Sequence, residues 1–591
     1  MWKLIYKSWL SIFGLVLITF PLYTQTSPIL IDGIFSDWNE MTPLHIDMPG
    51  DDDNSNIDFA RLWMSNDPDY LFIRIEVRKV LNLQSNNQIT LYLDTDNDSS
   101  TGLNINGIGA EISYNLGQRN GQARLADFTA SIDHSDIGLV SAPTVTSDQF
   151  EIALDRHATL FGEPFFPSQD IKISFEVENF SGDQIPDEGQ VISYTFDEDI
   201  GSNPPEFSIK KTADSYLRVL SYNVLFDNLF EPGLQSSYQR IINAIAPEII
   251  GFQEIYGFSS SQTADKVESF LPSGDNETWH HAKVQPDIIA VSRYPIVASH
   301  LIQGVSGAGE GNGAFLIDLA PDFNSQLLFI VAHTPCCDNE DGRQREIDAI
   351  MAFVRNAKAG TGPLSIAPNT PIVIAGDMNL VGLQRQQQTL LTGDLYYQAV
   401  YGPDFQPDWD ETPFEDALPI ATNSPLAITW YNPFSSFSPG RLDYIVYSGS
   451  VLDLKNTYAL FTPTLPQDSL SQYNLMGSDV TFASDHLPIV ADFELNLSSS
   501  ASIPEVDEIP LSITPNPFRE TATLHYHLES SSTVSVRFFD GQGRLLRAWQ
   551  LEKQPAGEHA LEISRQGIPT GVYFVQVLTE YGVGVGKVGL R

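Results

Sequence analysis

Between residues 215 and 497, short apolar segments repeatedly end or begin at a polar residue. The segments Glu248-Ile-Ile-Gly-Phe252, Leu327-Leu-Phe-Ile-Val-Ala332 and Pro371-Ile-Val-Ile-Ala375 are typical of buried strands, and a helical stretch such as Gln344 to Ala357 lies between the last two. The adjoining polar residues are Asn223, Glu254, His333, Asp377, Asn379, Asp443, Asp485 and His486. Because α/β proteins place ligand groups at strand ends along one sheet edge, this pattern predicts an α/β domain with a polar site there.

The chemistry of this set points to a hard cation beside a general acid or base. Its side chains are carboxylates, amides and imidazoles, which suit Mg²⁺ or Mn²⁺ better than a soft thiolate metal. The two cysteines, Cys336 and Cys337, are adjacent, and no metal-ligand spacing surrounds them. A single acidic residue at a strand end is typical of a solvated turn, whereas the whole set in order favours a functional site.

The same segment resembles the endonuclease/exonuclease/phosphatase family, which includes pancreatic deoxyribonuclease, apurinic endonucleases, neutral sphingomyelinases and inositol polyphosphate phosphatases. The matching strings, in the family's order, are Ser221-Tyr-Asn-Val224, Gln253-Glu254, Ser292-Arg-Tyr-Pro295, Ala332-His-Thr-Pro335, Gly376-Asp-Met-Asn379, Arg441-Leu-Asp-Tyr444 and Ser484-Asp-His-Leu-Pro488. The resemblance implies an α/β four-layer sandwich, in which two β-sheets are flanked by helices, and a metal-dependent phosphoric ester hydrolase.

The resemblance also implies a metal-binding side of the site. Glu254, helped by Asn223, would hold Mg²⁺ or Mn²⁺, which neutralises phosphoryl oxygens and stabilises charge on the leaving oxygen. Asp485 is adjacent to His486, so the two side chains cannot share one face of a regular strand. Asp485 is therefore expected to bind the metal or to support its ligands.

The remaining residues carry the catalytic roles that the resemblance implies. His486 would be the general base that activates water. Asp443 has two alternative roles, ligating a metal or orienting a histidine. Asp377 and Asn379 are two apart, so both can face the same side and position the nucleophile and a phosphoryl oxygen.

Two further residues complete the expected site. His333 would bind the phosphate or protonate the leaving group. Arg293 is expected near the phosphate as a substrate-binding residue. Arg343 and Arg345, after the cysteine pair, are interpreted as the salt-bridged start of a helix.

The chain outside this segment divides into four parts. Residues 1–25 read as a secretory signal peptide, with a positive start at Lys3 and Lys7 and an apolar run from Leu10 to Phe20 that is too short for a comfortable membrane span. Residues 28–205 contain short, partly alternating strands typical of a β-sandwich. Residues 498–510 read as a linker, and 511–591 as a small C-terminal β-sandwich domain.

The N-terminal region resembles a carbohydrate-binding module of family nine or a relative. The resemblance rests on Ile31-Asp-Gly-Ile-Phe-Ser-Asp-Trp38 and on Leu91-Tyr-Leu-Asp-Thr-Asp-Asn-Asp98 with Thr101-Gly102. It implies a polysaccharide partner, for which Trp38 and Trp63 offer stacking surfaces unless they belong to the core. Asp94, Asp96 and Asp98 alternate and either supply calcium oxygens or form a solvated acidic turn, and the sequence leaves both open. They do not form an EF-hand loop, because Ser99 and Ile105 replace its glycine and glutamate.

The tail resembles the C-terminal sorting domain of type IX secretion substrates. The matching strings are Ile513-Thr-Pro-Asn-Pro-Phe518, Phe538-Phe-Asp-Gly-Gln-Gly-Arg544 and Gly571-Val-Tyr-Phe-Val-Gln-Val577. This resemblance implies recognition by the type IX secretion machinery, and a protein that is secreted or attached to the outer-membrane surface.

The charge of the chain bears on its substrate. The formal net charge is −43, and residues 215–497 hold 12 Lys and Arg against 32 Asp and Glu. This acidity disfavours general affinity for polyanions. We expect an exported Mg²⁺-dependent phosphodiesterase, foremost an extracellular endonuclease, with a sphingomyelinase-like phospholipase or a phosphomonoesterase as the enzymatic alternative. The non-enzymatic alternative is a glycan-binding surface protein with an inactive phosphoesterase scaffold.

Overall fold

The computed structural model describes residues 28–50, 57–125, 128–178, 182–202, 204–274, 277–303, 311–320, 322–496, 507–540, 545–579 and 582–591. The predicted signal peptide and most of the predicted linker lie outside these residues. Over the described residues the chain forms two compact units, Met1–Asn496 and Leu497–Arg591. Among the described residues, no helix is long and apolar enough to cross a membrane.

The first unit begins with an antiparallel β-sandwich. One sheet contains, in spatial order, His45–Ile46, Phe59–Asn66, Tyr70–Leu81, Ser147–Asp155 and Val140–Ala142. The other contains Gln184–Ile185, Asp170–Val177, Ile89–Asp94, Ile112–Asn115, Asn120–Leu125 and Phe128–Ile132, with Ile192–Thr195 also paired to Asp170–Val177. Shorter elements are the strands Leu103–Ile105, Ile108–Ala110, Thr159–Leu160 and Glu163–Pro164, and the 3₁₀ turns Phe35–Trp38 and His134–Asp136. Every second residue from Ile171 to Val177 faces the core between the sheets, as the period of two requires.

Residues 217–495 form the α/β part of the same unit, built from two mixed sheets. The first sheet has the order His280–Val284, Ile288–Ser292, Ile249–Gln253, Leu217–Asn223, Ile489–Leu495 and Leu452–Ala459. The second has the order Ile296–Ile302, Asn312–Asp318, Gln326–His333, Ile372–Asp377, Asp443–Tyr447 and Glu415–Asp416. The centre of each sheet is a parallel pair, and the other described neighbours are antiparallel.

The two sheets pack face to face, with helices outside them. Phe329, Val331 and Ala375 share a core with the first sheet, whereas Ile330 and Ile374 face the helix Glu340–Lys358. Gly251 allows the close approach, because a Cβ atom there would lie 2.8 Å from Val331 Cγ2. The predicted four-layer sandwich is therefore confirmed.

The helices begin and end where local chemistry favours it. They are Gln235–Ile245, Ser260–Phe270, Glu340–Lys358, Gln384–Thr392, Gln398–Tyr401, Gln467–Tyr473 and Asp479–Ala483, with 3₁₀ turns at Asn228–Phe230 and Thr462–Thr464. The longest starts four residues before the predicted Gln344, because Asn339 caps it by accepting a hydrogen bond from the Gly342 amide at 3.0 Å. Its first turn is acidic and its last turn basic, which matches the helix dipole.

Part of the β-sandwich belongs to a hydrophobic core that it shares with the α/β layers. Trp38, Trp63 and Phe72 from the sandwich belong to the same buried cluster as Leu426 and Ile428 of the α/β part. The Trp38 indole is 1% exposed and donates to Glu151 at 2.9 Å. Both tryptophans are therefore core residues, and neither indole is available to a sugar.

The second unit is a separate β-sandwich. One sheet has the order Asp507–Glu508, Gly582–Leu590, Gly571–Leu578, Ser532–Phe539 and Leu545–Gln554, and the other Leu511–Thr514, Thr521–Leu528 and Gly557–Ser564. Residues such as Leu524, Val536 and Val575 form its core. The strand Asp507–Glu508 extends the unit into the stretch predicted as linker.

Candidate functional site

Three neighbouring strands of the second sheet place a row of polar side chains at one edge. His333 and Asp377 are the last residues of two parallel strands and lie opposite each other in register. Asp443 opens the antiparallel neighbour and lies opposite Asp377. The edge therefore presents an imidazole and two carboxylates side by side, as the strand-end pattern predicts.

His486 approaches this row from the start of a strand in the first sheet. Its Nδ1 lies 2.9 Å from Asp443 Oδ2, and its Nε2 lies 3.6 Å from Asp377 Oδ2. Burial lowers the pKa of His486, but Asp443, Asp377 and Asp485 outweigh this effect and raise it to about 10. The hydrogen bond to Asp443 fixes the ring so that Nε2 points to the centre of the site, which favours the orienting role for Asp443.

His333 is fixed in the same manner by a residue that the sequence reasoning missed. Its Nδ1 lies 2.6 Å from Asp287 Oδ2, and its Nε2 lies 3.8 Å from Asp377 Oδ2. Burial lowers the pKa of His333, whereas Asp287, Asp377 and Glu254 raise it to about 9. Asp287 directly precedes the strand Ile288–Ser292, so the strand-end rule could have found it.

The first sheet contributes an amide and a carboxylate. Asn223 ends its strand, and its Nδ2 donates to Glu254 Oε1 at 3.0 Å and to Asp377 Oδ2 at 3.2 Å. Glu254 has a left-handed backbone with φ of 63°, and its Oε2 accepts a hydrogen bond from the Phe226 amide at 2.9 Å. Strained backbone of this kind concentrates at functional sites. Asn223 thus joins the two sheets at the site.

Asp377 lies at the centre of these contacts. Burial is the main cause that raises its pKa; Asp443 adds to the effect, and the two histidines oppose it. Asp377, Asp443 and His486 offer ligand atoms that all lie within 4.8 Å of one another. The preceding Gly376 has φ of 149°, and a Cβ atom there would lie 2.0 Å from the carbonyl oxygen of Ala332.

This crowding leads to a stability prediction. We expect Gly376→Ala to lower the free energy of unfolding by about 2–4 kcal/mol, because the added methyl group clashes with neighbouring backbone that cannot move away. Urea denaturation followed by tryptophan fluorescence measures the change. Gly233→Ala is the control, because a Cβ atom there meets nothing within 4 Å. Equal stability of the two variants would contradict the argument.

Asn379 adopts a position that the strand pattern did not predict, whereas Asp485 lies against Trp430 and its expected role stays a prediction. The strand ends at Asp377, and Asn379 has φ of 46°, so the two residues do not alternate along one strand. The Asn379 side-chain amide donates to the Thr334 carbonyl at 3.0 Å. The backbone N–H of Asn379 donates to Asp377 Oδ1 at 3.0 Å. Asp485 Oδ2 accepts from the Trp430 indole at 3.1 Å, and its buried Oδ1 has no hydrogen-bond partner among the described residues.

Arg293 does not belong to this site. Ser292 pairs with Ile249 at the start of the strand Ile249–Gln253, whereas Glu254 follows the other end of that strand. The Arg293 guanidinium covers the ring of Trp279 at 4.3 Å and pairs with Glu277 at 3.6 Å. The structure therefore places Arg293 away from this edge, because the antiparallel connection carries it to the opposite end of the sheet.

The acidic turn of the N-terminal sandwich groups differently from the prediction. Carboxylate oxygens of Asp94, Asp96 and Glu111 lie within 4.8 Å of one another, and Lys172 pairs with Asp94 at 2.9 Å. Asp98 is outside this group and instead accepts hydrogen bonds from Ser100. Calcium at this turn stays a prediction.

The cysteine pair lies beyond His333, at the start of the long helix. Cys336 and Cys337 are joined by a disulfide bond. Arg343 is fully buried, pairs with Glu340 at 3.0 Å and donates to the Cys337 carbonyl at 2.8 Å. Arg345 pairs with Asp341 at 2.7 Å, which agrees with the predicted salt-bridged helix start.

The donor set fits a hard divalent cation. Glu254 and Asp377 present carboxylate oxygens on either side of the Asn223 amide, and Asp485 has a buried oxygen without a protein partner within the described part of the chain. Oxygen donors with several negative charges are the ligands that Mg²⁺ and Mn²⁺ prefer. Glu254, with Asn223 beside it, is the residue that would hold such an ion.

The match to a known family identifies the protein as a metal-dependent phosphoric ester hydrolase. Residues 220–486 match the model of the Endonuclease/Exonuclease/phosphatase family, and residues 512–589 match the secretion system C-terminal sorting domain. The chain therefore contains a domain of the first family, followed by a sorting domain that implies secretion and surface attachment. The two resemblances drawn from the sequence are confirmed. The third, to a carbohydrate-binding module, stays a prediction.

Several solved structures are similar to this chain. Sphingomyelinase C from Streptomyces griseocarneus is 13% identical, with 47% of this chain and 99% of that chain covered and a TM-score of 0.29. ANGEL2, a 2′,3′-cyclic phosphatase, is 15% identical, with coverages of 47% and 96% and a TM-score of 0.30. AP endonuclease LMAP from Leishmania major is 12% identical, with coverages of 49% and 92% and a TM-score of 0.28. The comparison with curated proteins found no match.

Proposed function

We propose that this protein is an exported Mg²⁺-dependent phosphodiesterase that acts outside the cell, foremost as an endonuclease. The observation that carries the proposal is the arrangement of His486, whose Nδ1 is held by Asp443 while Nε2 faces Asp377 at 3.6 Å. A fixed imidazole beside a buried carboxylate is suited to take a proton from water.

Each side chain has a distinct role in this proposal. Glu254 and Asn223 hold the cation, and the buried Asp485 Oδ1, which has no hydrogen-bond partner among the described residues, supports its binding. When bound, a divalent cation neutralises phosphoryl oxygens, stabilises charge on the leaving oxygen and lowers the pKa of His486 by adding positive charge beside the carboxylates. Asp377 orients the attacking water against His486.

The second histidine serves the leaving group. His333 is held by Asp287, and Asp287, Asp377 and Glu254 raise its pKa above the usual value, which favours the protonated form. A protonated imidazole can bind a phosphoryl oxygen or donate a proton to the departing oxygen. The Asn379 side-chain amide donates to the Thr334 carbonyl, which holds this residue beside Asp377.

A lipid phosphodiester is the second candidate substrate. Phe226, whose backbone amide binds Glu254, and Tyr256, which closely follows Glu254 in the sequence, are 70% and 40% exposed. Their rings stack with centroids 6.2 Å apart. Exposed aromatic rings beside a site suit an amphipathic substrate. The acidity of the domain disfavours long polyanions. It disfavours a zwitterionic lipid headgroup less, because such a headgroup carries no net charge.

A substrate panel tests the choice. Purified full-length protein is incubated with plasmid DNA, RNA, sphingomyelin and inositol phosphates, each with Mg²⁺ or with EDTA. We expect Mg²⁺-dependent cleavage of the nucleic acids. Hydrolysis of sphingomyelin alone would replace the first candidate by the second, and the absence of hydrolysis of every substrate would favour the non-enzymatic alternative.

A further inference from the structure

One segment of the N-terminal sandwich inserts between two loops of the α/β part. Residues 144–146, called the insert, follow the strand Val140–Ala142 and lie within the same compact unit as the hydrolase site. Val145 is 2% exposed and packs in the core that contains Met378, Leu380 and Tyr444. The insert is therefore embedded in the fold that carries the site.

The insert binds the loop that follows Asn379. The Thr144 hydroxyl donates to the Leu380 carbonyl at 2.7 Å, and the Thr146 amide donates to the Gly382 carbonyl at 2.7 Å. From an adjacent strand connection of the sandwich, Asn82 donates to the Val381 carbonyl at 2.8 Å. Three consecutive carbonyl groups of this loop thus accept hydrogen bonds from the sandwich.

The insert also contacts the loop that leads to Asp443. The Thr144 hydroxyl lies 3.3 Å from the Arg441 carbonyl oxygen, and a Cβ atom at Gly440 would lie 2.6 Å from Thr144 Cγ2. The Gln84 side chain accepts from the Ser438 amide at 2.9 Å. One threonine therefore touches both loops, two residues before Asp443 on one side and one residue after Asn379 on the other.

We propose that the N-terminal sandwich is a positioning element of the hydrolase site, and that Thr144 sets the spacing of the loops that carry Asn379 and Asp443. Asp443 in turn orients His486, so a change in this spacing moves the base. Small displacements of catalytic groups lower turnover strongly. This positioning role of the sandwich requires no bound sugar. The kinetic test of the role rests on the proposed hydrolase function.

Variants of Thr144 in the full-length protein test this proposal with bis(p-nitrophenyl) phosphate and Mg²⁺. We expect Thr144→Val, which keeps the shape but removes the donor, to lower kcat about tenfold with KM changed less than about twofold. Thr144→Ser, which retains the hydroxyl, should recover most of the activity. Thr195→Val is the matched control, because that hydroxyl binds Asp170 within the sandwich at 2.5 Å.

Amide hydrogen exchange gives a readout that does not depend on turnover. Peptides covering residues 378–384 and 438–443 should exchange faster in Thr144→Val and in Asn82→Ala than in the wild type and in Thr195→Val. The proposal would be overturned if Thr144→Val left kcat unchanged and neither Thr144→Val nor Asn82→Ala changed the exchange. It would also be overturned if Thr144→Val and Thr144→Ser lowered kcat equally. A wild type without hydrolysis would refute the proposed function, while the exchange data would still decide whether the insert holds the loops.

Discussion

Replacing His486 by alanine is expected to lower kcat at least about 10²-fold, because the variant loses the general base. The imidazole is almost fully buried, is held by Asp443 and faces Asp377. Steady-state hydrolysis of bis(p-nitrophenyl) phosphate at saturating Mg²⁺ measures the effect. KM should change far less than kcat, since the base acts in the chemical step.

The matched control for this variant is His157→Ala. His157 also pairs with an aspartate, Asp69, at 3.2 Å, but the pair is exposed on the N-terminal sandwich. Its removal should leave kcat within about twofold, as for ordinary surface changes. Near-normal turnover of His486→Ala would show that another group activates the water.

Replacing Glu254 by glutamine should raise the Mg²⁺ concentration required for half-maximal activity at least about tenfold. The reason is that the variant loses a charged oxygen donor, and losses around a metal site weaken binding by one or two orders of magnitude. Asp443→Asn should behave differently. It should lower kcat about 10²-fold by misorienting His486, with little change in the Mg²⁺ requirement.

A titration of activity against Mg²⁺ distinguishes the two roles. Glu231→Gln, an exposed change in the same domain, is the control and should match the wild type. If Asp443→Asn shifts the Mg²⁺ requirement as strongly as Glu254→Gln, then Asp443 is a metal ligand and the orienting role is wrong. If neither variant shifts it, the cation is held elsewhere.

The strand-end pattern was sufficient to predict most of the site. Buried strands read clearly from continuous apolar runs, and their ends meet at one edge because both sheets have a parallel pair at the centre. Asp287 follows the same rule but was missed, because the strand Ile288–Ser292 that it precedes was not among the strands predicted from apolar runs. The sequence could not show that it pairs with His333, since that contact joins residues of different sheets.

Two positions that differ from the expectation have a shared physical cause. Arg293 lies in a matching string, but its strand runs antiparallel and carries it to the far end of the sheet. Asn379 was expected on a continuing strand, although its left-handed backbone ends the alternation. In both cases the sequence fixes the order of residues but not the direction in which the chain leaves the strand.

The packing of the sandwich against the α/β layers also could not be predicted from the sequence. The sequence predicts a β-sandwich over residues 28–205 and a separate α/β domain over 215–497, whereas Trp38 and Val145 are buried in cores shared with the α/β part. Such contacts depend on tertiary packing and leave no local periodicity. They are also what makes Thr144 a neighbour of the hydrolase loops.

We propose that one edge of the site hydrolyses phosphodiesters with the help of a divalent cation, through Asn223, Glu254, His333, Asp377, Asp443 and His486. The most direct test is the release of p-nitrophenol from bis(p-nitrophenyl) phosphate by the full-length protein in Mg²⁺, after addition of EDTA, and after Mg²⁺ is restored in excess. We predict hydrolysis in Mg²⁺, its loss in EDTA and its return with Mg²⁺, with His486→Ala inactive throughout. Hydrolysis that persists in EDTA, or that His486→Ala retains in full, would contradict the claim.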